Sequence, residues 1–136
     1  MDTRANNIKS VSAYLLLMDN NTIEDNSQVI NYNLDEYVQR AENLLKAYYR
    51  LYNIYWDTYN DTFNECFNEQ GAQTLMYDIG KEIYPENKLR DFFKDIYLLL
   101  FRTETGPRLG TFISLYGIEN FLELFKQKIT DPFDLK

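Results

Sequence analysis

Three sets of side chains in this chain are able to do chemistry, and none of them is a catalytic set. Asp57, Asp61, Glu65 and Glu69 place a carboxylate at every fourth position. Lys81, Arg90, Lys94, Arg102 and Arg108 are cations of the second half. The third set is aromatic and contains eight of the twenty residues from Tyr48 to Phe67. The chain has no His, which removes the commonest general base, every Ser-His or Cys-His nucleophile pair and the usual zinc sites. Its one Cys, Cys66, leaves no internal disulfide and no thiolate cluster. Flanked by Phe63 and Phe67 in a helical pattern, Cys66 reads as a packing residue. An acid–base mechanism would have to rest on a carboxylate pair such as Asp91 and Asp95, which nothing in the sequence separates from surface charges. No enzyme activity, cofactor or metal is expected.

Each set has a bland reading and a sharper one. Carboxylates four apart on a helix rise about 6 Å per step, close to the phosphate spacing along a strand. Such a ridge could meet a basic partner by imitating nucleic acid, although a solvated face with a few tenths of a kcal/mol of repulsion per pair is the simpler account. Arg90 and Lys94 lie four apart but interleave with Asp91 and Asp95, so they also fit a self-neutralising face. Arg108 follows Pro107, a residue suited to the first turn of a helix, with Thr105 or Gly106 as cap. Free amides and an arginine at that point would make a phosphate seat. The aromatic run is either a core stripe or a set of stacking platforms for unpaired bases; burial is favoured, because that is where aromatic side chains mostly act. Asp19 and Asn21 begin an EF-hand-like alternation, but Ile23 takes the next ligand position, so the segment reads as a solvated loop.

The elements that carry these residues are helical throughout. Ile8, Val11, Leu15 and Met18 mark a helix over 5–18, followed by the polar loop Asp19–Gln28. Asn33 with Glu36 three residues on resembles a capping box. From there apolar residues keep helical spacing to Gly71, as one long helix over about 34–69 or as two with a break near Asp57–Asn60. A third stretch, Ala72–Tyr84, stops at Pro85. Asn87 can cap a helix from Lys88 to about Thr103, whose C-terminal half is apolar nearly all round and should be central in the core. Leu109, Phe112, Ile113 and Tyr116 pack the next helix, Gly117 ends it, and Ile118–Lys128 forms the last. No strand pattern competes. The fold expected is all-α, a compact bundle of five to six helices.

Composition sets the outer bounds. A chain of 136 residues fits one domain, 1–136, able to bury about two-thirds of its unfolded surface. No apolar run approaches the roughly 18 residues that span a bilayer, and Tyr14–Met18 is too short for a signal sequence. A cytoplasmic protein is expected. Net charge is −7, the wrong sign for generic nucleic-acid binding. The charge is uneven, however: residues 1–70 carry five basic against eleven acidic side chains, and 71–136 carry nine against ten. A local basic patch is therefore allowed in the second half.

One ordered series of residues has a relative. Gly80-Lys81-Glu82, Phe92-Phe93, Ile96-Tyr97-Leu98-Leu99-Leu100, Gly106-Pro107-Arg108-Leu109-Gly110, Phe112-Ile113, Gly117 and Phe121-Leu122 together resemble the C-terminal end of class I lysyl-tRNA synthetases, and more distantly of glutamyl-tRNA synthetases. The resemblance covers roughly residues 75–126. It implies a helical domain of the anticodon-binding type, without catalysis, because the nucleotide-binding fold and its signatures are absent from the sequence. Of the residues carried over, Gly106, Pro107 and Gly110 would close the helix packing and Arg108 would touch RNA. The expectation is a module that binds tRNA or a tRNA-like structured RNA, with Arg108, Arg102, Arg90, Lys94 and Lys81 on phosphates and exposed tyrosines stacking. The alternative is an acidic interaction module or inhibitor, in which Asp57, Asp61, Glu65 and Glu69 bind a basic protein partner. No membrane partner is expected.

Overall fold

Tyr37, Ala41, Leu44, Leu45, Tyr48, Leu51 and Tyr55 recur at three- and four-residue spacing, and all are buried along one side of a 25-residue helix. Asp35 and Glu36 in its first turn complement the positive end of the helix dipole. The computed structural model describes residues 3–20, 34–58 and 69–134. Its elements are α1 (Thr3–Asn20), α2 (Leu34–Thr58), α3 (Glu69–Ile83), a short 3-10 turn (Glu86–Lys88), α4 (Leu89–Phe101), α5 (Leu109–Tyr116) and α6 (Ile118–Thr130). The bundle is all-α, and no strand occurs among the described residues. The Asn33 cap, the continuation of the long helix past Thr58, and Phe63, Cys66 and Phe67 lie outside the described residues, as does the loop beyond Asn20.

The apolar second half of α4 is central, as its sequence predicts. Ile96 and Leu99 are completely buried, as is Phe92 one turn earlier, and α4 packs on α1, α2, α3 and α6. From α6, Phe121 and Phe125 enter the same core, with Tyr48 of α2 edge-on to Phe125 at 5.5 Å. Burial of each such side chain is worth about 1.5–3 kcal/mol. α1 is longer than its apolar spacing predicts and adds Tyr14, which is buried and donates its hydroxyl proton to the Leu98 carbonyl of α4 at 2.5 Å.

Two helix ends bring the functional candidates into place. α4 closes on Arg102, which adopts the left-handed conformation (φ 62°) that usually selects glycine. Its side chain offsets that strain: the guanidinium lies 5.6 Å over the Tyr14 ring and donates to the carbonyls of Pro132 and Asp134, each at 3.2 Å. α5 begins at Leu109, so Arg108 is its N-cap rather than a first-turn residue. Gly110 is where α5 meets α3. A Cβ there would collide with the Glu69 carbonyl oxygen and lie 2.7 Å from the Gln73 Cβ, so only glycine permits the approach.

Candidate nucleic-acid interface

The five cations do not converge on one site. Arg108 reaches across to the first turn of α3, where its guanidinium lies 3.4 Å from both Glu69 Oε1 and Gln70 Oε1. Exposed Lys81 lies over the Tyr77 ring at 5.3 Å, and Tyr77 in turn contacts Phe93 at 5.6 Å between centroids. Lys94 pairs with Glu104 at 3.7 Å, and Arg90 is exposed on the preceding turn of α4 with no ion pair among the described residues. The expected phosphate seat at the start of α5 is partly filled by the chain itself, because the Gly110 amide donates to Gln73 Oε1 at 2.8 Å.

Arg102 belongs to a different setting. A groove of about 320 Å³ between α4, α5 and α6 is lined by Arg102, Lys128, Phe101, Phe112 and Tyr116 with two leucines, and no carboxylate among the described residues lines it. The rings of Phe112 and Tyr116 stack at 4.9 Å and 18°, and Tyr116 is exposed. Lys128 donates from Nζ to the Asp134 carbonyl at 3.0 Å, so both cations are held at the groove by the turn after α6. The sequence pattern does not single out Lys128, and it marks Tyr116 only as a packing residue. The available signal is their helical register: Lys128 lies one turn past Leu124, on the same side of α6.

Only two of the four ridge carboxylates, Asp57 and Glu69, fall among the described residues. Asp57 is exposed near the end of α2, Asp61 and Glu65 lie outside the described residues, and Glu69 pairs with Arg108. The aromatic run divides instead of taking one role. Tyr48 and Tyr55 are buried, whereas Tyr49, Tyr52 and Trp56 are exposed.

Asp91 and Asp95 part company in the fold. Asp91 is exposed beside Lys88, but the Asp95 side chain is only 1% exposed and accepts from Arg40, through Nη2 at 2.6 Å and Nε at 3.1–3.2 Å. Arg40 also donates from Nη1 to Asp19 Oδ2 at 2.6 Å and lies over the Tyr37 ring at 5.0 Å. Tyr84 donates to Asp95 Oδ2 at 3.3 Å, and Tyr37 to Asp19 Oδ2 at 3.1 Å. Burial pushes the Asp95 carboxyl up while Arg40 opposes it, and the two carboxylates hold Arg40 charged. Burial and the neighbouring Asp95 also raise the Tyr84 hydroxyl above its ordinary value. With every polar atom of Asp95 engaged, this corner has the construction of a structural ion cluster rather than of an acid–base site. It joins residues 55 positions apart, which no local spacing announces.

Over 61 residues, 45% of its length, the chain is 49% identical to a lysine–tRNA ligase of Rickettsia akari. It is 48% identical over 60 residues to that of Rickettsia bellii and 48% over 61 residues to that of Rickettsia prowazekii. The shared stretch is 11% of each ligase's length, so less than half of this chain is synthetase-like and it spans about a tenth of the much longer relatives it matches. No protein-family model and no solved structure matches the chain. No helix among the described residues is long and apolar enough to cross a membrane.

Proposed function

We propose that this chain is a non-catalytic helical module that contacts tRNA or a tRNA-like RNA through its second half. Its relatives are lysine–tRNA ligases, and tRNA is the nucleic acid that their name supplies. The observation that carries the reading onto a surface is the groove of Arg102 and Lys128. There two cations border the stacked Phe112–Tyr116 pair, of which Tyr116 is exposed, and no carboxylate among the described residues intervenes. Phosphate oxygens would accept from Arg102, with buried Lys128 adding positive charge beneath the groove, and an unpaired base would lie on Tyr116, a stacking interaction worth about 1–3 kcal/mol per base. Arg108, Arg90, Lys94 and Lys81, which do not line the groove, would bind further phosphates at separate points of the second half. Net charge of −7 confines such binding to a local patch and makes it steeply salt-dependent.

Filter binding against tRNA at low and at physiological salt tests this. The expected result is binding at low salt that weakens as salt rises. Combining Arg102→Ala with Arg108→Ala should lower the slope of log affinity against log salt by about 0.7–0.9 for each phosphate no longer neutralised. Tyr116→Ala should weaken binding without changing that slope. Absence of binding at low salt, or binding indifferent to all three substitutions in a folded variant, overturns the proposal.

A further inference from the structure

Away from the basic groove, α2 and α6 enclose a cleft of about 380 Å³ lined by Tyr48, Tyr52, Tyr55 and Trp56 of α2 and by Glu119 and Glu123 of α6. Helical spacing explains the composition. Tyr48, Tyr52 and Trp56 are four apart on one helix, and Glu119 and Glu123 are four apart on the other. The rings form a continuous wall, with centroid distances of 6.0 Å for Tyr48–Tyr52, 5.9 Å for Tyr52–Trp56 and 5.7 Å for Tyr55–Trp56. Tyr52 is 40% and Trp56 52% exposed, so the wall opens to solvent. Tyr55 donates to Glu119 Oε1 at 2.5 Å, which fixes one carboxylate at its edge.

Aromatic faces beside paired carboxylates are complementary to a planar cation. A guanidinium can lie on a tyrosine or tryptophan face while its N–H groups reach carboxylate oxygens. The chain uses this chemistry internally. Arg40 sits over Tyr37 and between Asp19 and Asp95, Arg102 sits over Tyr14, and Arg4 sits over Tyr49, which neighbours Tyr48 in the same aromatic run. In the α2–α6 cleft the carboxylates have no such cation: Lys126 lines the cleft but makes no ion pair with Glu119 or Glu123 among the described residues. A second cleft of about 510 Å³ shares Tyr48, Tyr52 and Lys126 and continues the surface, which suits an extended peptide. A nucleotide fits less well, because its phosphate would approach two carboxylates on a chain of net charge −7.

We infer that the α2–α6 cleft seats an arginine side chain presented by a protein partner. The inference is independent of the RNA reading and uses none of its residues. Trp56 is the single tryptophan of the chain, so its emission reports on this cleft. The full chain is titrated with three probes: an acetylated, amidated (Gly-Arg)3-Gly peptide, the same peptide with neutral citrulline at each arginine position, and an oligouridylate. The arginine peptide should change Trp56 emission saturably and bind about tenfold more tightly than the citrulline peptide. Glu119→Gln with Glu123→Gln, which keeps the acceptor for Tyr55, should weaken it by about fivefold or more. Asp35→Asn with Asp78→Asn removes the same charge elsewhere and should leave it nearly unchanged. Equal binding of the two peptides overturns the proposal, as does equal loss in both double variants. A response to oligouridylate but not to the arginine peptide assigns the cleft to nucleic acid instead.

Discussion

In the corner between α1, α2 and α4, the Tyr37 ring and the carboxylates of Asp19 and Asp95 surround a guanidinium that the chain itself supplies. In the cleft between α2 and α6, the carboxylates of Glu119 and Glu123 stand beside the rings of Tyr52 and Trp56 with no ion-pair partner among the described residues. Burial accounts for the difference. Asp95 is sealed from water, and an unpaired carboxylate there would carry a desolvation penalty of several kcal/mol, so Arg40 is a condition of folding. Glu119 and Glu123 are hydrated, so the fold does not require a cation between them. The same residue types thus form a structural cluster where three helices converge and a recognition surface where two helices leave a cleft.

Removing the internal cation should have the largest consequence for the fold. Arg40→Met should cost about 3–5 kcal/mol in urea unfolding, because Asp95 is left buried and uncompensated. Adding Asp95→Leu should recover part of that loss, since the buried carboxylate is removed, although Asp19 still lacks its cation and the Tyr84 hydroxyl its acceptor. If Arg40→Met alone costs less than about 1 kcal/mol, the value typical of an exposed pair, the corner and the cleft are not different in kind.

A gentler perturbation separates the hydroxyl from the ions. Tyr84→Phe removes the donor to Asp95 Oδ2 and should cost about 0.5–1.5 kcal/mol at neutral pH. Its pH dependence has a definite sign. The Tyr84 hydroxyl is raised above its ordinary value of 10.0, chiefly by burial, so the unfolded chain loses this proton first. Stability from the neutral hydroxyl is complete below pH 10 and is lost as the pH rises toward the folded value. Stability measured above pH 10 should therefore fall less steeply in the variant, by up to about 1.4 kcal/mol per pH unit. Tyr14, Tyr48 and Tyr97 are raised as well, so the decline should be reduced and not abolished.

How far these regions are legible in the sequence follows from the range of the interactions that build them. The helices are readable because Leu44, Leu51, Phe92, Leu99, Phe121 and Phe125 keep local spacing, and periodicity is a local property. Gly117 and Pro85 are readable as breaks for the same reason. The Gly-Pro-Arg-Leu-Gly junction falls where its sequence places it, but its purpose at Gly110, passage against the α3 backbone, depends on a residue pair far apart in the chain. Asp95 shows the limit most clearly. Beside Asp91 on a helix it looks like an ordinary surface charge, and only the arrival of Arg40 from α2 distinguishes the two. The five candidate cations are likewise alike in type, whereas their settings differ: Arg102 closes a helix in a left-handed conformation, and Arg108 meets Glu69, a residue assigned from sequence to the opposing acidic ridge.

Neutralising the cleft's carboxylates should have the least consequence for the fold. Glu119→Gln with Glu123→Gln replaces both carboxylates of the cleft by neutral isosteres. If the cleft were a second structural cluster, this change would resemble the loss of Asp95 and destabilise the fold by several kcal/mol. The geometry predicts otherwise. Neither side chain is buried, neither has an ion-pair partner among the described residues, and glutamine retains an acceptor for the Tyr55 hydroxyl. The urea midpoint should correspond to a stability within about 0.5 kcal/mol of the parent value, as for surface substitutions generally. Relief of negative charge in a chain of net −7 acts in the stabilising direction. A loss above about 2 kcal/mol would mean that these carboxylates support the fold. An unchanged midpoint with weakened capture of an arginine peptide separates recognition from stability within one pair of residues.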